Sequence, residues 1–372
     1  MNIGEPKQFF QRLVVKVGSS VLTDAKGQPD VNRLKQVVRQ LAACVSQGRE
    51  VVLVSSGAIA CGMAKLSLRR RPKEIAQLQA CAAIGQGELM RLYTQAFAEY
   101  GLTVAQVLLT QVDLADRIRC RNAKNTLQTL LARKVVPIIN ENDVVAVEEI
   151  TFGDNDRLAA LVACLIRAEL LVMFTDVDGL LEDGRLIERL DRLDHAHHVL
   201  ALGQSRETTT GGMASKLAAA RIARHSGIPF VIANGTKPDV LLDLLEGKPV
   251  GTLIVPSTRA LRLRKWWIAF SARSPLGTVV VDQGAAEALL HRGKSLLASG
   301  IQEVQGQFHA GDPIAIVDET QNEVARGLSN FSSSELARIH GLKSQKIPEA
   351  LGRKAPAEVV HRDNLVLTRE FQ

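Results

Sequence analysis

Six short polar segments carry residue types suited to charged substrates, and each follows an apolar run or opens a helical pattern. Val14-Val15-Lys16-Val17-Gly18-Ser19-Ser20 sets a lysine at the end of an apolar run and follows it with a glycine and two serines. An ammonium and several backbone N–H groups brought together there suit an anion; taken alone, the segment is equally a surface lysine before a loop. Ser55-Ser56-Gly57 ends a second apolar run, with a helix starting near Ala58. Such a helix start accepts a carboxylate or phosphate, or is simply capped by its serine. Asn140-Glu141-Asn142-Asp143 offers hydrogen-bonding groups and negative charge that would receive an amine, or would line a solvated loop. Gly153-Asp154-Asn155-Asp156 opens a helix, where the acids are caps, metal ligands or partners for lysines. Thr175-Asp176 follows the apolar run Leu170–Phe174. Thr208-Thr209-Thr210-Gly211-Gly212-Met213-Ala214-Ser215-Lys216 then leads into a helix through a glycine pair that lets backbone approach a phosphate closely. Two lysines, several N–H-rich turns and isolated acids form together a phosphoryl-transfer inventory.

Other chemistries lack their motifs. There is no G-x-x-x-x-G-K-[ST] and no G-x-G-x-x-G, which disfavours P-loop and dinucleotide folds. His361-Arg362-Asp363 mimics a protein-kinase catalytic loop but has no D-F-G after it. His195, His197 and His198 lack acid or cysteine partners at metal spacing. Asn234-Gly235-Thr236 is a sequon without meaning in a cytosolic chain.

The elements that must position these segments alternate. Apolar runs over Leu13–Val17, Val51–Val54, Val104–Leu109, Val135–Ile139, Leu170–Phe174, Phe230–Ile232 and Leu253–Val255 predict strands buried on both faces, as in a largely parallel sheet. Helical patterns lie near Val31–Ser46, Glu74–Tyr100, Asn122–Arg133, Arg157–Arg167, Met213–Ser226 and Asp239–Leu245. The class is α/β, and its ligand crevice is expected beyond the carboxyl ends of the strands. After about Pro256 the pattern changes. A basic run (Arg259, Arg262, Arg264, Lys265) and Trp266-Trp267 precede short strands over Thr278–Val281, Ile301–Val304, Pro313–Val317 and Glu323–Gly327. Two brief helices, near Ala285–His291 and Ser333–Ile339, interrupt this small β-rich module.

At about 100–200 residues per domain, 372 residues suggest two or at most three domains. The formal charge of +7 is spread along the chain, which suits partners bearing phosphates or carboxylates without singling out nucleic acid. The longest clean apolar run, Leu158–Ile166, is far short of the ~18–20 residues of a membrane helix. The N-terminus has no apolar signal core. These features predict a cytoplasmic protein with no membrane contact. Cys44, Cys61, Cys81, Cys120 and Cys164 are widely spaced, without a C-x-x-C, and are expected to be reduced packing residues.

With these motifs in view, the chain resembles the amino-acid kinase family, and within it the glutamate 5-kinase branch. The matching stretches are VVKVGSSVLT from Val14, VSSGAIACG from Val54, VVPIINENDVVA from Val135, FGDNDRLAALVA from Phe152, FTDVDGL from Phe174 and TGGMASK from Thr210. GTVVVDQGAAEALLHRGKSLLASGI from Gly277 and GDPIAIVD from Gly311 resemble a PUA domain. The resemblance implies a kinase domain over 1–258, a linker over 259–274 and a PUA domain with its tail over 275–372. It implies ATP-dependent phosphorylation of the γ-carboxylate of L-glutamate to glutamate 5-phosphate, the first step of proline biosynthesis. Lys16 and Lys216 would stabilise the transferring phosphoryl group, and Asp156 would hold the lysines. Ser56, Asp143 and Asn155 match glutamate-binding positions. Lys16, Thr175, Asp176, Thr210, Gly211, Gly212, Met213, Ala214, Ser215 and Lys216 match nucleotide-binding positions. Also implied are Mg²⁺ brought with ATP and no protein-held metal, feedback inhibition by proline, a glutamate-5-phosphate reductase as downstream partner, and a homo-oligomer. One departure is visible: after Asp178-Gly179-Leu180 the chain reads Leu181-Glu182-Asp183-Gly184, and the stretch to Gly212 is shorter than the family's. The alternative reading is an RNA-binding protein, because PUA domains resemble modules of RNA-modifying enzymes. Against it, Gly277–Gln372 has few aromatic residues and nearly balanced charge.

Overall fold

In the computed structural model the described residues are 10–146, 155–193, 212–257, 265, 267–271 and 275–368. The chain divides into two compact units, Met1–Ala260 and Leu261–Gln372. In the first, the described elements run β1 (Arg12–Val17), α1 (Ser19–Leu22), α2 (Val31–Ser46), β2 (Glu50–Ser55), α3 (Ala58–Lys65), α4 (Ile75–Ala98), β3 (Val104–Leu109), α5 (Gln111–Ala115), α6 (Arg117–Ala132) and β4 (Val136–Glu141). They continue with α7 (Asn155–Ile166), β5 (Leu170–Thr175), β6 (Leu181–Glu182), β7 (Arg185–Leu186), β8 (Arg189–Leu190), α8 (Met213–His225), β9 (Phe230–Asn234), α9 (Val240–Leu245) and β10 (Thr252–Ile254). The sheet order is β3-β4-β2-β1-β5-β9-β10-β8. The pairs from β3 to β9 are parallel. β10 runs antiparallel to β9, and β8 is parallel to β10.

The apolar runs become strands because they are covered on both sides. Every residue of β5 is buried, as is every residue of β1 after Arg12. Leu13, Val15 and Val17 pack in a core with Val37, Val38 and Leu41 of α2 and with Tyr93 and Phe97 of α4. Alternation along the strand puts Val14 and Lys16 on the opposite face, where α7 lies against β1. Helix starts are fixed locally. Asp30 accepts from the N–H groups of Asn32 and Arg33 at 3.0 and 3.1 Å, and Thr110 with Asp113 forms a reciprocal capping box. The short stretch after Leu180, read as no element in the sequence, is a two-residue hairpin of β6 and β7. Its turn residues Asp183 and Gly184 both have positive φ, 50° and 77°, the conformation Asp-Gly favours.

In the second unit, β11 (Gly277–Val281), β13 (Ile301–Gly306), β14 (Pro313–Val317), β15 (Glu323–Leu328) and β17 (Leu365–Leu367) form one sheet, and β12 (Leu296–Leu297) pairs with β16 (Glu358–Val360). Its own core includes Val279, Ile314, Ile316, Phe331 and Leu336. Helices α10 (Gln283–Arg292) and α11 (Ser333–Ile339) match expectation. A third, α12 (Ile347–Leu351), and the small strands β12, β16 and β17 are too short to announce themselves by periodicity. All five cysteines are buried and in no disulfide. Burial pushes the Cys44 and Cys61 thiols up to about 11, so they act as packing groups. No described helix is long and apolar enough to cross a membrane.

Helices α3 and α4 approach more closely than side chains normally permit. A Cβ on Gly62 would lie 1.8 Å from the Cys81 carbonyl oxygen, and one on Gly85 would lie 1.8 Å from that of Ala58. The two glycines bring backbone against backbone, which fixes the height and rotation of α4 over the ends of the strands. Gly87, on another face of the same helix, has open space around it. Gly85→Ala should therefore destabilise the first unit by about 1–3 kcal/mol, lowering the melting temperature by roughly 2–12 °C. Gly87→Ala should raise stability by about 0.5–1 kcal/mol because helix-interior glycine is entropically costly. Calorimetry on both variants reads the contrast.

Candidate active site

The strand ends bring the sequence motifs to one edge of the sheet. Lys16 sits one residue before the end of β1, and Ser56 follows β2. Asn140 and Glu141 end β4, Thr175 ends β5, and α7 and α8 begin beside them with Asn155 and Gly212. Gly18 is held against this edge by its N–H, which donates to the Phe174 carbonyl at 3.2 Å.

Asp156, in the first turn of α7, is fully buried. Its Oδ1 lies 2.5 Å from the Lys16 Nζ, and its Oδ2 lies 3.4 Å from the Lys216 Nζ. The Ser215 hydroxyl donates to the same Oδ2 at 2.7 Å and also lies 2.8 Å from the Gly212 carbonyl oxygen. Lys16 and Lys216 are themselves buried. Thus residues 200 positions apart share one carboxylate, because α7 packs on β1 and on α8. Burial opposes the Asp156 charge. The ammonium groups of Lys16 and Lys216 and hydrogen bonds from Lys16 and Ser215 more than offset this, so its carboxyl lies below the ordinary range.

A second network lies at the ends of β2 and β4, past their last paired residues, Val54 and Ile139. The Glu141 N–H donates to Asn140 Oδ1 at 3.0 Å and to Asn155 Oδ1 at 3.1 Å. Asn155 Nδ2 donates to Asn140 Oδ1 at 3.0 Å and to Ser56 Oγ at 3.3 Å. Asn140 Nδ2 in turn donates to Gln86 Oε1 at 2.8 Å. Ser56 and Asn155 are therefore brought together, and Asn140 and Gln86 join them. Sequence reading names Asn140 only as part of its loop and misses Gln86, which lies inside a helix where no strand-end signal points to it. Asp143 is half-buried after β4 and is close enough to the Arg71 guanidinium to interact with its charge.

Thr175 and Asp176 lie together at the end of β5, with Thr175 Oγ1 donating to Asp176 Oδ1 at 3.2 Å. In the strand pairing, β5 adjoins β9 through Thr175 and Asn234, and Asn234 Nδ2 donates to Asp178 at 2.9 Å. Met213, Ala214, Ser215 and Lys216 form the first turn of α8 after Gly212, a helix start of the kind that suits phosphate. Thr210, Gly211, Gly153, Asp154, the three histidines from His195 to His198 and the basic residues Arg259, Arg262 and Arg264 lie outside the described residues. Among the described residues no three His, Cys, Asp or Glu side chains converge on a metal position.

A carboxyl whose folded pKa lies below its unfolded value of about 4 stabilises the fold above that value. The contribution is lost as pH falls through the lower folded value. Asp156→Asn should therefore cost about 3–5 kcal/mol at neutral pH, leaving two buried ammonium groups without their anion. The gap between wild type and variant should shrink as pH falls below about 4. Denaturant unfolding across pH 3–7 measures it, and a gap independent of pH would show that Asp156 is not an ionised partner of the lysines.

Comparison of the sequence with known proteins shows the family. The Amino acid kinase family model matches residues 11–234, and the PUA domain model matches residues 277–351. A glutamate 5-kinase of Caldanaerobacter subterraneus subsp. tengcongensis is 47% identical over 363 residues, covering 96% of this chain and 97% of its own length. One of Thermus thermophilus is 47% identical over 370 residues, covering 98% and 99%. One of Moorella thermoacetica is 45% identical over 364 residues, covering 96% of each. The likeness covers nearly the whole chain, and the chain is a kinase that belongs to the amino acid kinase family and carries a PUA domain.

Proposed function

We propose that the chain transfers the γ-phosphoryl group of ATP to the γ-carboxylate of L-glutamate, giving glutamate 5-phosphate and ADP, the entry step of proline biosynthesis. The observation that carries this reading is the pair of buried lysines on Asp156, set beside the amide network at the same sheet edge. The names of the relatives support glutamate as the acceptor. A glutamate carboxylate has an ordinary pKa of about 4.3 and is ionised at neutral pH, so the nucleophile needs no general base. What remains for the protein is alignment and charge stabilisation. In this reading Ser56, Asn155 and Asp143 hold the amino acid, with Asp143 receiving its ammonium group. Thr175, Asp176 and the turn from Thr210 to Lys216 hold the nucleotide. Lys16 and Lys216 face the charge that spreads over the phosphoryl oxygens, and Asp156 holds both ammonium groups in place. The described residues offer no cage for a resident metal; Mg²⁺ would enter with ATP, bound chiefly by phosphate and water.

The test is an ATP-dependent assay that traps the acyl phosphate with hydroxylamine, run with glutamate, aspartate and N-acetylglutamate in parallel, with UMP followed by ADP release because its product is not an acyl phosphate. Hydroxamate with glutamate alone is expected, and none with glutamate would overturn the assignment. Lys16→Ala and Lys216→Ala should each lower kcat by about 10²–10³, with a much smaller effect on ATP binding. Arginine should not restore either, because a planar fork does not replace a compact ammonium in a tight site. A raised KM for ATP with kcat preserved would make the lysines nucleotide anchors only. Asp143→Asn should raise the KM for glutamate by roughly 10–150-fold, the loss of one charge-assisted hydrogen bond, and leave the KM for ATP nearly unchanged. Initial rates against each substrate separate the two effects.

A further inference from the structure

The amide network ends on a donor with no acceptor among the described residues. Among the described residues Gln86 Nε2 is buried without a hydrogen-bond partner, although Gln86 Oε1 accepts from Asn140 Nδ2 at 2.8 Å. A carboxamide can be turned over to exchange its oxygen and nitrogen, but here the polarity is imposed from the backbone. The Glu141 N–H can only donate, and it donates to both Asn140 Oδ1 and Asn155 Oδ1. Asn155 must then present Nδ2 to Ser56 and Asn140, and Asn140 must present Nδ2 to Gln86. Gln86 is left with its oxygen facing Asn140 and its NH₂ group facing away from it. Turning Gln86 over would set one NH₂ group against another. A buried donor without an acceptor is costly, and its place beside the network that holds Ser56 and Asn155 points to a ligand that completes it.

We infer that Gln86 is a specificity-determining residue of the acceptor site: its Oε1 fixes the Asn140–Asn155–Ser56 network, and its Nε2 donates to an oxygen atom of the bound acid. The inference rests on the proposed reading that Ser56 and Asn155 hold the acceptor. It also gives the close packing of α3 on α4 a functional consequence. Gly85, the residue before Gln86, sits against the backbone of Ala58 and Gly62, so the Gln86 side chain projects from a helix turn that cannot slide.

The decisive variant is Gln86→Glu in the full chain. It keeps an oxygen to accept from Asn140 and replaces the donor with a negatively charged acceptor. The KM for the acid should rise by roughly 10–150-fold, with the KM for ATP within about twofold, and the unpaired carboxylate oxygen should lower thermal stability. Gln86→Leu removes the orphan donor without adding charge but also takes the acceptor away from Asn140 Nδ2; it should lower thermal stability modestly and raise the acid KM by roughly 2–10-fold. An unchanged acid KM in both variants would overturn the inference. So would an equal rise in both substrates' KM values, which would mark Gln86 as a packing residue only. The assay uses whichever acid wild type phosphorylates most efficiently. A wrong acceptor then appears in the wild-type protein, and a wrong role for Gln86 appears only in the variants.

Discussion

A carboxylate taken wholly out of water must be paired, and Asp156 is paired twice. Its two oxygens are divided between the Lys16 and Lys216 ammonium groups, and the Ser215 hydroxyl joins the second. This cluster ties the central strand β1 to the starts of α7 and α8. It constrains the fold and the chemistry at once: without the carboxylate, two ammonium groups would be buried close together, and without the lysines the carboxylate would not remain ionised. A lysine held in this way has little freedom left to lose when a phosphoryl group arrives, and that is the condition under which a preplaced charge favours a transition state.

The amide network is built on a different principle. It contains no formal charge among Gln86, Asn140, Asn155 and Ser56, and its order comes from the direction of hydrogen bonds. One backbone N–H, that of Glu141, sets the direction, and each carboxamide passes it on. Such a network discriminates by the pattern of donors and acceptors it offers, while the lysine cluster answers to charge. The two lie at the same sheet edge because Asn155 and Asp156 are adjacent at the start of α7, one joined to each. A displacement of that helix would therefore disturb the amide network and the lysine cluster together.

Much of this is legible in the residues before any fold is known. Runs such as Leu13–Val17 and Leu170–Phe174 are apolar on both faces, which only a strand covered on both sides accommodates, and the α/β class follows. The polar segments at their ends mark the candidate site, since backbone leaving a strand is where N–H groups and side chains collect. Lys16, Ser56, Asn155, Asp156, Thr175 and Ser215 through Lys216 are all legible in this way, helped by motifs long enough to resemble a family. The hairpin at Asp183-Gly184 is not, because two residues per strand give no periodicity, although its turn residues carry the right chemistry.

Which groups meet is a matter of packing. No spacing rule relates Lys16 to Lys216 through Asp156, since the approach depends on α7 packing against both β1 and α8. Gln86 is invisible for the same reason. Within α4 it is one polar residue among many, and only the contact of Gly62 and Gly85 places it opposite Asn140. The direction of each amide is likewise absent from the sequence, because it is imposed by a single N–H left beyond the last paired rung of β2 and β4. Sequence specifies which groups are available and where strands end; hydrogen-bond polarity and backbone-to-backbone contact in the folded chain fix which of those groups face one another.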